Sequence, residues 1–147
     1  MKKVTMLFLE READAVELER YLRQYDEEFI PVLASRVQIG EYAKKISQNA
    51  SVCWIEWERR KIGMCAIYMN NGRRAFITSI NVAKEFCGQG LGTALIGRIV
   101  EEAKNRGMTE IVLSVNRANK SAVSFYEKNT FSVCEESEEW YQMMRKI

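Results

Sequence analysis

The sequence predicts an α/β (α+β) fold of one domain, in which helices flank a single mixed, mostly antiparallel central sheet. Three observations predict this fold: apolar residues at helical spacing before residue 51, β-rich segments joined by short turns over 52–82, and alternating helix-like and strand-like segments after residue 91. The expected order of elements is β-α-α-β-β-β-α-β-α-β-β. With 147 residues the chain has the ordinary size of one domain, so we predict a single domain over 1–147.

The N-terminal part is predicted to contain a short strand over 3–9 and two amphipathic helices, over 14–29 and 38–50. Apolar residues recur three or four positions apart in both helices, with charged residues between them. These residues are Ala15, Leu18, Leu22, Tyr25 and Phe29 in the first helix, and Ile39, Tyr42, Ala43 and Ile46 in the second. Pro31 is expected to end the first helix, because proline has no N–H group and disfavours helix in the residue before it.

The middle of the chain is predicted to be a three-stranded antiparallel meander with strands over 52–57, 62–69 and 74–82. Residues 58–61 are expected to form the first turn. The sequence Asn70-Asn71-Gly72 is a strong hairpin signal for the second turn. Cys53 and Cys65 face each other in this arrangement, and we expect both to be buried thiols.

The C-terminal part is predicted to alternate helices and strands. The expected ranges are a helix over 91–105, a strand over 111–115, a helix over 119–128, and strands over 131–134 and 140–144. Gly107 favours a helix end at Arg106, because glycine readily takes the left-handed conformation that follows many helices. The helix over 91–105 can carry the chain to a parallel neighbouring strand at 111–115.

Composition excludes several classes of function. The chain has no histidine, so Ser-His, Cys-His and His-metal chemistry are excluded, and its four cysteines show no CxxC spacing, so we expect no metal site. A net charge of +2 without a basic stripe argues against nucleic acid as a partner. No apolar run is long enough to span a bilayer and no signal peptide is present, so we expect a cytoplasmic protein that does not bind membranes.

A glycine-rich turn between a predicted strand and a predicted helix is the most informative part of the sequence. Residues 87–92 read Cys-Gly-Gln-Gly-Leu-Gly, directly before the helix over 91–105. The first N–H groups of a helix have no internal partner, and the helix dipole adds positive potential, so this turn predicts an anion site. No lysine follows Gly92 as in a nucleotide triphosphate loop, and the spacing does not match a dinucleotide loop. The pyrophosphate of coenzyme A remains as the third candidate.

Two stretches resemble the GCN5-related N-acetyltransferase (GNAT) family. Residues 82–92 resemble its phosphate loop, Gln/Arg-x-x-Gly-x-Gly/Ala after a strand. Residues 119–131 read Asn-Lys-Ser-Ala-Val-Ser-Phe-Tyr-Glu-Lys-Asn-Thr-Phe and resemble the second family signature, Asn-x-x-Ala-x-x-Phe-Tyr-x-Lys-x-Gly-Phe. The glycine turn alone is a weak signal. The two signatures together, separated by a helix and a strand, are a strong one.

The resemblance implies transfer of an acetyl group from acetyl-CoA to a primary amine. It implies that 1–50 contains the acceptor-side helices and that 51–147 contains the acetyl-CoA-binding sheet and helices. It further implies that Tyr126 protonates the leaving thiolate. The expected cofactor-binding residues are Ile80, Asn81, Val82, Cys87, Gly88, Gln89, Gly90, Leu91, Gly92, Thr93, Asn119 and Tyr126. Without the resemblance, Tyr126 would be interpreted as core packing and Asn119 as a helix N-cap.

Two positions depart from the family pattern. Cys87 stands where the family usually has Arg or Gln, so a side-chain contact or loop brace is lost while the backbone contacts to phosphate remain possible. Thr130 replaces the usual glycine, so we expect Asn129 or Thr130 to make that turn at a strain cost of roughly 1 kcal/mol.

The sequence gives the least information about the site that binds the acceptor amine. The residues that could line it are Phe29, Arg36, Tyr42, Glu56 and Trp140. We expect a small-molecule amine and assign no general base, since Glu56, Glu85 and a chain of water molecules all remain open. The alternative function is a non-catalytic acyl-CoA-binding module with a protein partner. The protein is expected to be a monomer or a homodimer.

Overall fold

The structure, a computed structural model, describes residues 6–147, which form one seven-stranded sheet with flanking helices. The strands are β1 (Met6–Glu10), β2 (Ala50–Trp57), β3 (Arg60–Tyr68), β4 (Arg74–Val82), β5 (Glu110–Asn116), β6 (Ser132–Glu136) and β7 (Trp140–Lys146). The helices are α1 (Ala15–Gln24), α2 (Ile39–Asn49), α3 (Leu91–Asn105) and α4 (Lys120–Lys128). The predicted fold class and order of elements are confirmed. Residues 3–5 of the predicted first strand lie outside the described residues.

The sheet has the strand order β1-β2-β3-β4-β5-β7-β6, and β4 with β5 is the parallel pair among the described strands. As predicted, α3 makes the crossover that a parallel pair requires. The pairing ends at Ile77 opposite Leu113, although β4 continues to Val82 and β5 to Asn116. The last residues of these two central strands therefore diverge and leave a gap in the middle of the sheet.

A β-bulge in β4 lies where β4 leaves β5. In the register with β3, Ile67 pairs with Ile77 and the next pair is Ala66 with Ser79, so Thr78 is an extra residue on β4. A bulge bends the strand that contains it and strengthens its local twist. The bulge therefore accompanies the separation of the two strands and leaves one edge of β4 without a neighbouring strand.

The two faces of the sheet carry different helices. The Tyr21 hydroxyl of α1 donates to Asn81 Oδ1 at 2.6 Å, which places α1 on the face of Asn81. Tyr126 of α4 has Cys65 as a neighbour, and Cys65 pairs with Ile80 of β4. Because neighbouring residues of a strand point to opposite faces, α4 lies on the other face. Helix α2 packs with α1, and α3 packs on β2, β3 and β4.

The core forms between these layers, with Trp54 of β2 fully buried near its centre. Its indole N–H donates to Glu10 Oε1 at 2.7 Å, which satisfies the polar end of the buried ring. The predicted pair Cys53 and Cys65 are direct partners across β2 and β3, both buried and both free thiols. No helix within residues 6–147 has the length and apolar character needed to cross a membrane.

Helix α1 is shorter than predicted. It ends at Gln24, well before Pro31, and a 3-10 turn at Asp26–Glu28 follows. The Asp26 carboxylate accepts a hydrogen bond from the N–H group of Ala34 at 2.7 Å, which turns the chain back on itself. The apolar residues up to Phe29 keep a helical spacing. The Asp26 side chain instead binds the backbone of the following segment, which favours a turn over a continued helix.

Other boundaries differ by a few residues. The first hairpin turn contains two residues, Glu58 and Arg59, with φ of 47° and 65°, and not the four predicted over 58–61. Positive φ at both positions matches the twist of the flanking strands, which allows β3 to begin earlier. Strand β6 begins one residue later and ends two residues later than predicted, and β7 continues to Lys146 because its pairing with β5 extends that far.

Candidate functional site

The gap between β4 and β5 opens into a cleft of about 680 Å³, with open solvent at its mouth included. Residues of the sheet, α4 and the segment between α1 and α2 line it. These residues are Glu28, Phe29, Ile30, Leu33, Arg36, Ile77, Thr78, Ser79, Ile80, Asn81, Leu113, Ser114, Val115, Asn116, Asn119, Ala122, Tyr126 and Trp140.

Two buried polar atoms in this cleft have no hydrogen-bond partner among the described residues. They are Ser79 Oγ and Asn81 Nδ2, both on β4 just after the bulge. The amide oxygen of Asn81 is engaged, since it accepts from the Tyr21 hydroxyl. Buried polar groups in folded proteins normally have partners, so these two are suited to contact a ligand in the cleft.

The glycine turn presents unbonded N–H groups at the N-terminus of α3. Gly88 and Gly90 have φ of 81° and 79°, a conformation that side chains disfavour, and Gly90 is the N-cap of α3. The N–H groups of residues 88–93 donate no hydrogen bond to any described residue, and Ala94 is the first to donate into the helix. Together with the helix dipole, these groups form a site that can bind a phosphate.

Gly92 is needed for a different reason. A Cβ atom at Gly92 would lie 2.9 Å from the ring of Phe125, too close for any side chain. The glycine therefore lets α3 and α4 pack closely at their ends. Its role in helix packing is separate from the backbone conformation required at Gly88 and Gly90.

Cys87 lies at the start of the turn and is exposed. Its Sγ atom lies 3.5 Å from the carbonyl oxygen of Val82 and 3.7 Å from that of Ala83, so the thiol contacts the backbone that enters the turn. Partial burial, with the nearby Glu28 charge adding to it, raises the pKa of the thiol. Cys87 is therefore a neutral side chain against the turn and not a reactive thiolate.

Tyr126 lines the cleft from α4 and is buried. Its ring packs against Phe125 and Phe131, with centroid distances of 5.4 and 5.9 Å. Burial raises the pKa of its phenol well above the ordinary value, and Cys65 adds to the shift. The phenol is therefore protonated at neutral pH, as a general acid must be.

Asn119 is both the N-cap of α4 and part of the cleft. Its Oδ1 accepts from the N–H group of Ala122 at 3.2 Å. Its amide nitrogen donates no hydrogen bond within the described residues and is available to a ligand. The helix-cap interpretation and the binding interpretation are compatible, because they use different atoms of the same side chain.

Three of the five predicted acceptor residues line the cleft, namely Phe29, Arg36 and Trp140. The Arg36 guanidinium lies over the Trp140 ring, 5.6 Å from its centroid. Glu56 lies on β2 opposite Lys61, outside the cleft.

The fifth predicted acceptor residue, Tyr42, is attached to the bulge and does not line the cleft. Its hydroxyl lies 2.8 Å from the carbonyl oxygen of Thr78 and 2.7 Å from Thr78 Oγ1. Burial raises the pKa of the Tyr42 phenol, although the bonds to Thr78 and the charge of Arg36 oppose the shift. Tyr42 therefore stabilises the bent part of β4.

The sequence does not predict Glu28 as a cleft residue, nor the bulge in β4. Glu28 falls within the helix predicted over 14–29, although the acidic residues at 26–28 are unfavourable in the last turns of a helix, where the helix dipole is negative. The bulge has a partial sequence signal: apolar residues at odd positions, Ala75 and Ile77, are followed by apolar residues at even positions, Ile80 and Val82, although Phe76 interrupts the first alternation. This change of phase is expected when one extra residue enters a strand.

The comparison with known proteins agrees with this geometry. The sequence model of the acetyltransferase (GNAT) family matches residues 11–131. The chain belongs to the GNAT family of acetyltransferases.

Two N-acetyltransferases, one from yeast and one from mouse, are similar to part of this GNAT protein. It is 41% identical over 58 residues to N-alpha-acetyltransferase 30 of Schizosaccharomyces pombe, covering 40% of this chain and 39% of the relative. It is 36% identical over 69 residues to the thialysine N-epsilon-acetyltransferase of Mus musculus, covering 47% of this chain and 41% of the relative. The chain thus spans about two fifths of the length of these curated relatives.

A solved structure shares the fold of the GNAT chain over almost its whole length. The paia N-acetyltransferase from Thermoplasma acidophilum, in complex with coenzyme A, matches with a TM-score of 0.78 at 19% sequence identity. The match covers 97% of this chain and 100% of that one. The chain therefore has the same fold as this N-acetyltransferase over nearly all of its length.

Proposed function

We propose that this protein transfers the acetyl group of acetyl-CoA to a primary amine on a small molecule, with Tyr126 as general acid. The observation that carries the proposal is the unpaired edge of β4. That edge faces a cleft lined by Tyr126 and Asn119 and leads to the glycine turn at the N-terminus of α3.

Binding of acetyl-CoA uses mainly the backbone. The pantetheine arm lies along 80–82 of β4 as an additional strand would, because alternate N–H and C=O groups there lack a strand on the β5 side. The amide nitrogen of Asn119 donates to the arm from the start of α4. The pyrophosphate accepts hydrogen bonds from the N–H groups of 88–93, at the positive end of the α3 dipole.

The chemistry is direct transfer. The neutral amine nitrogen attacks the carbonyl carbon of the thioester, the new N–C bond forms, and the C–S bond breaks. The Tyr126 hydroxyl donates its proton to the departing thiolate, and the attacking nitrogen, now positively charged, transfers its extra proton to solvent water at the open acceptor side. Burial keeps the Tyr126 phenol protonated and raises its pKa above the ordinary value of about 10, so its proton moves to the sulfur only as negative charge develops there.

The name of the mouse relative, thialysine N-epsilon-acetyltransferase, supports a small amine as the acceptor. Coenzyme A in the structure of the Thermoplasma acidophilum neighbour supports the cofactor.

Thermal unfolding with and without acetyl-CoA tests binding, and release of free thiol over a panel of amines tests transfer. We expect acetyl-CoA to raise the Tm. Tyr126→Phe is expected to lower kcat by roughly 100-fold or more and to leave the Kd of acetyl-CoA nearly unchanged, because only the proton donor is removed. Tyr141→Phe is the control, because Tyr141 lies on β7 outside the cleft.

An unchanged kcat in Tyr126→Phe would exclude Tyr126 as the acid. A Tm that does not respond to acetyl-CoA would contradict the cofactor site itself. Binding without turnover on any amine would favour a non-catalytic module.

A further inference from the structure

The cleft contains two charged side chains of opposite sign among the described residues that line it, Glu28 and Arg36. Neither is among the cofactor contacts proposed above, although Glu28 lies near Cys87 at the start of the glycine turn. Both come from the segment between α1 and α2, and each is attached to a different wall of the cleft. The charge pattern of the acceptor side therefore runs from negative to positive across the gap.

Glu28 lies on the wall formed by β4. Its Oε1 accepts a hydrogen bond from the N–H group of Lys84 at 2.8 Å, just after β4 ends. No described Lys or Arg side chain forms an ion pair with Glu28. One carboxylate oxygen is thus occupied by the backbone, and the other is available to a cation.

Arg36 lies on the wall formed by β5 and β7. Its guanidinium stacks on Trp140, and Trp140 pairs with Asn116 at the end of β5. Within residues 6–147, no carboxylate forms an ion pair with Arg36. Stacking orients the planar group and leaves its N–H donors available, and such donors match a carboxylate in a two-point contact.

Apolar residues separate the two charges. Phe29, Ile30 and Leu33 line the cleft from the same segment, and Ile30 remains 52% exposed. An exposed aliphatic side chain beside a cleft gives an apolar contact for the carbon skeleton of a ligand.

We propose that the acceptor is a zwitterion, namely a primary amine that also carries a carboxylate, as in an amino acid. Its amine end is attracted by Glu28 and its carboxylate is bound by Arg36. This inference rests on the proposed acetyl transfer and identifies the class of acceptor. It predicts that a diamine of the same length is a poor substrate, because Arg36 repels its second ammonium group.

The first experiment compares matched amines that differ by one carboxylate, with acetyl-CoA as donor. The pairs are lysine with cadaverine, and leucine with 3-methylbutylamine, so that a side-chain amine and an α-amine are both covered. We expect kcat/KM of the wild-type protein to be roughly tenfold to 100-fold higher for the carboxylate-bearing member of at least one pair, as for a charge-assisted two-point contact.

The second experiment asks whether Arg36 causes that preference. Arg36→Gln is expected to bring the kcat/KM ratio within a pair close to one, mainly through a higher KM of the amino acid, while the decarboxylated amine is little affected. Arg36→Lys is expected to keep part of the preference. Arg117→Gln is the matched control, because Arg117 also stacks on an aromatic ring, Tyr141 at 4.7 Å, but lies outside the cleft.

The third experiment tests Glu28. Glu28→Gln keeps an acceptor for the Lys84 N–H group but removes the charge, and we expect a roughly tenfold higher KM for every amine. Glu27→Gln is the control from the same 3-10 turn, outside the cleft. An unchanged KM in Glu28→Gln would overturn the part of the proposal that concerns Glu28.

The outcomes separate the inference from the proposed function. Equal or better acetylation of the amines without a carboxylate would overturn the inference and leave acetyl transfer intact, as would a preference that survives Arg36→Gln. Release of no thiol with any amine would overturn acetyl transfer itself, and the inference with it.

Discussion

The two sides of the cleft are built in different ways. The proposed cofactor side is mostly one stretch, from Ile80 on β4 to Thr93 on α3, to which α4 adds Asn119, and it presents mainly backbone N–H groups. The acceptor side is assembled from side chains of separate elements, such as Glu28, Arg36 and Trp140. A backbone site tolerates changes of side chain. A side-chain site depends on residues that are far apart in the sequence.

This difference explains why the sequence identifies the glycine turn more readily than the acceptor side. Glycine spacing at 88–92 reports a backbone conformation directly, because glycine is required where φ is positive. No such signal marks the acceptor side, since any polar residue can be placed in a cleft by the surrounding fold.

The largest effect is expected for Gly90→Ala. No atom would contact the added Cβ, but the residue has φ of 79°, so strain alone acts. An L-residue in this conformation costs about 1–2 kcal/mol, and relief of the strain would turn the N–H groups away from the pyrophosphate. We expect the Kd of acetyl-CoA, measured by calorimetry, to rise roughly fivefold to 30-fold.

Gly97→Ala is the matched control on the same helix, because Gly97 lies inside α3 with open space around its Cα. It should raise the free energy of unfolding by about 0.5–1 kcal/mol, since glycine is unfavourable inside a helix, with no effect on the Kd of acetyl-CoA. Equal Kd values for Gly90→Ala and the wild-type protein would show that the turn conformation does not determine binding.

The sequence was sufficient for the fold and for the glycine turn before α3, and the reasons are local. Strands, helices and the glycine turn follow from spacing over a few residues, and Thr130 has φ of 66° at the strained turn that the missing glycine predicts. The predicted end of α1 was wrong, because the hydrogen bond from the N–H group of Ala34 to Asp26 favours a turn where the apolar spacing predicts helix.

The acceptor side could be predicted only in part. Phe29 and Trp140 line the cleft as expected, but Tyr42 does not. The position of Tyr42 depends on the bulge at Thr78, because its hydroxyl bonds to Thr78, which lies 36 residues later in the sequence. Periodicity places a residue on a helix face, and it carries no information about which strand that face contacts.

The second prediction concerns Tyr42→Phe. Loss of the hydroxyl removes the hydrogen bond to the Thr78 carbonyl and is expected to lower the free energy of unfolding by about 1 kcal/mol. If Tyr42 supports the bulge, kcat should fall several-fold for every amine, with unchanged ratios of kcat/KM between amines. Chemical denaturation and steady-state kinetics measure the two effects.

Tyr25→Phe is a suitable comparison, because the Tyr25 hydroxyl lies 3.5 Å from the Lys61 carbonyl oxygen and makes a weaker bond. Its effect on stability should be smaller than that of Tyr42→Phe. A change in amine preference in Tyr42→Phe would instead indicate that Tyr42 contacts the acceptor, as the sequence predicts.

The smallest effect is expected for Cys87→Arg, which restores a residue typical of the family. The Cys87 thiol is exposed and contacts only backbone carbonyl oxygens, so its replacement leaves the N–H groups of the turn in place. One exposed guanidinium near the pyrophosphate is worth about 0.5–1 kcal/mol, which corresponds to roughly a twofold to fivefold lower Kd of acetyl-CoA. The gain should diminish as salt is added, because exposed charges are screened.

Two controls separate the position from the charge and the thiol. Cys134→Arg adds the same charge at an exposed cysteine of β6, distant in sequence from the turn, and should leave the Kd unchanged. Cys87→Ser should also leave it unchanged, because the thiol makes no contact that the backbone site requires. If Cys87→Ser weakened binding as much as Gly90→Ala, the side chain at this position would matter as much as the backbone, and the contrast between the two sides of the cleft would be lost.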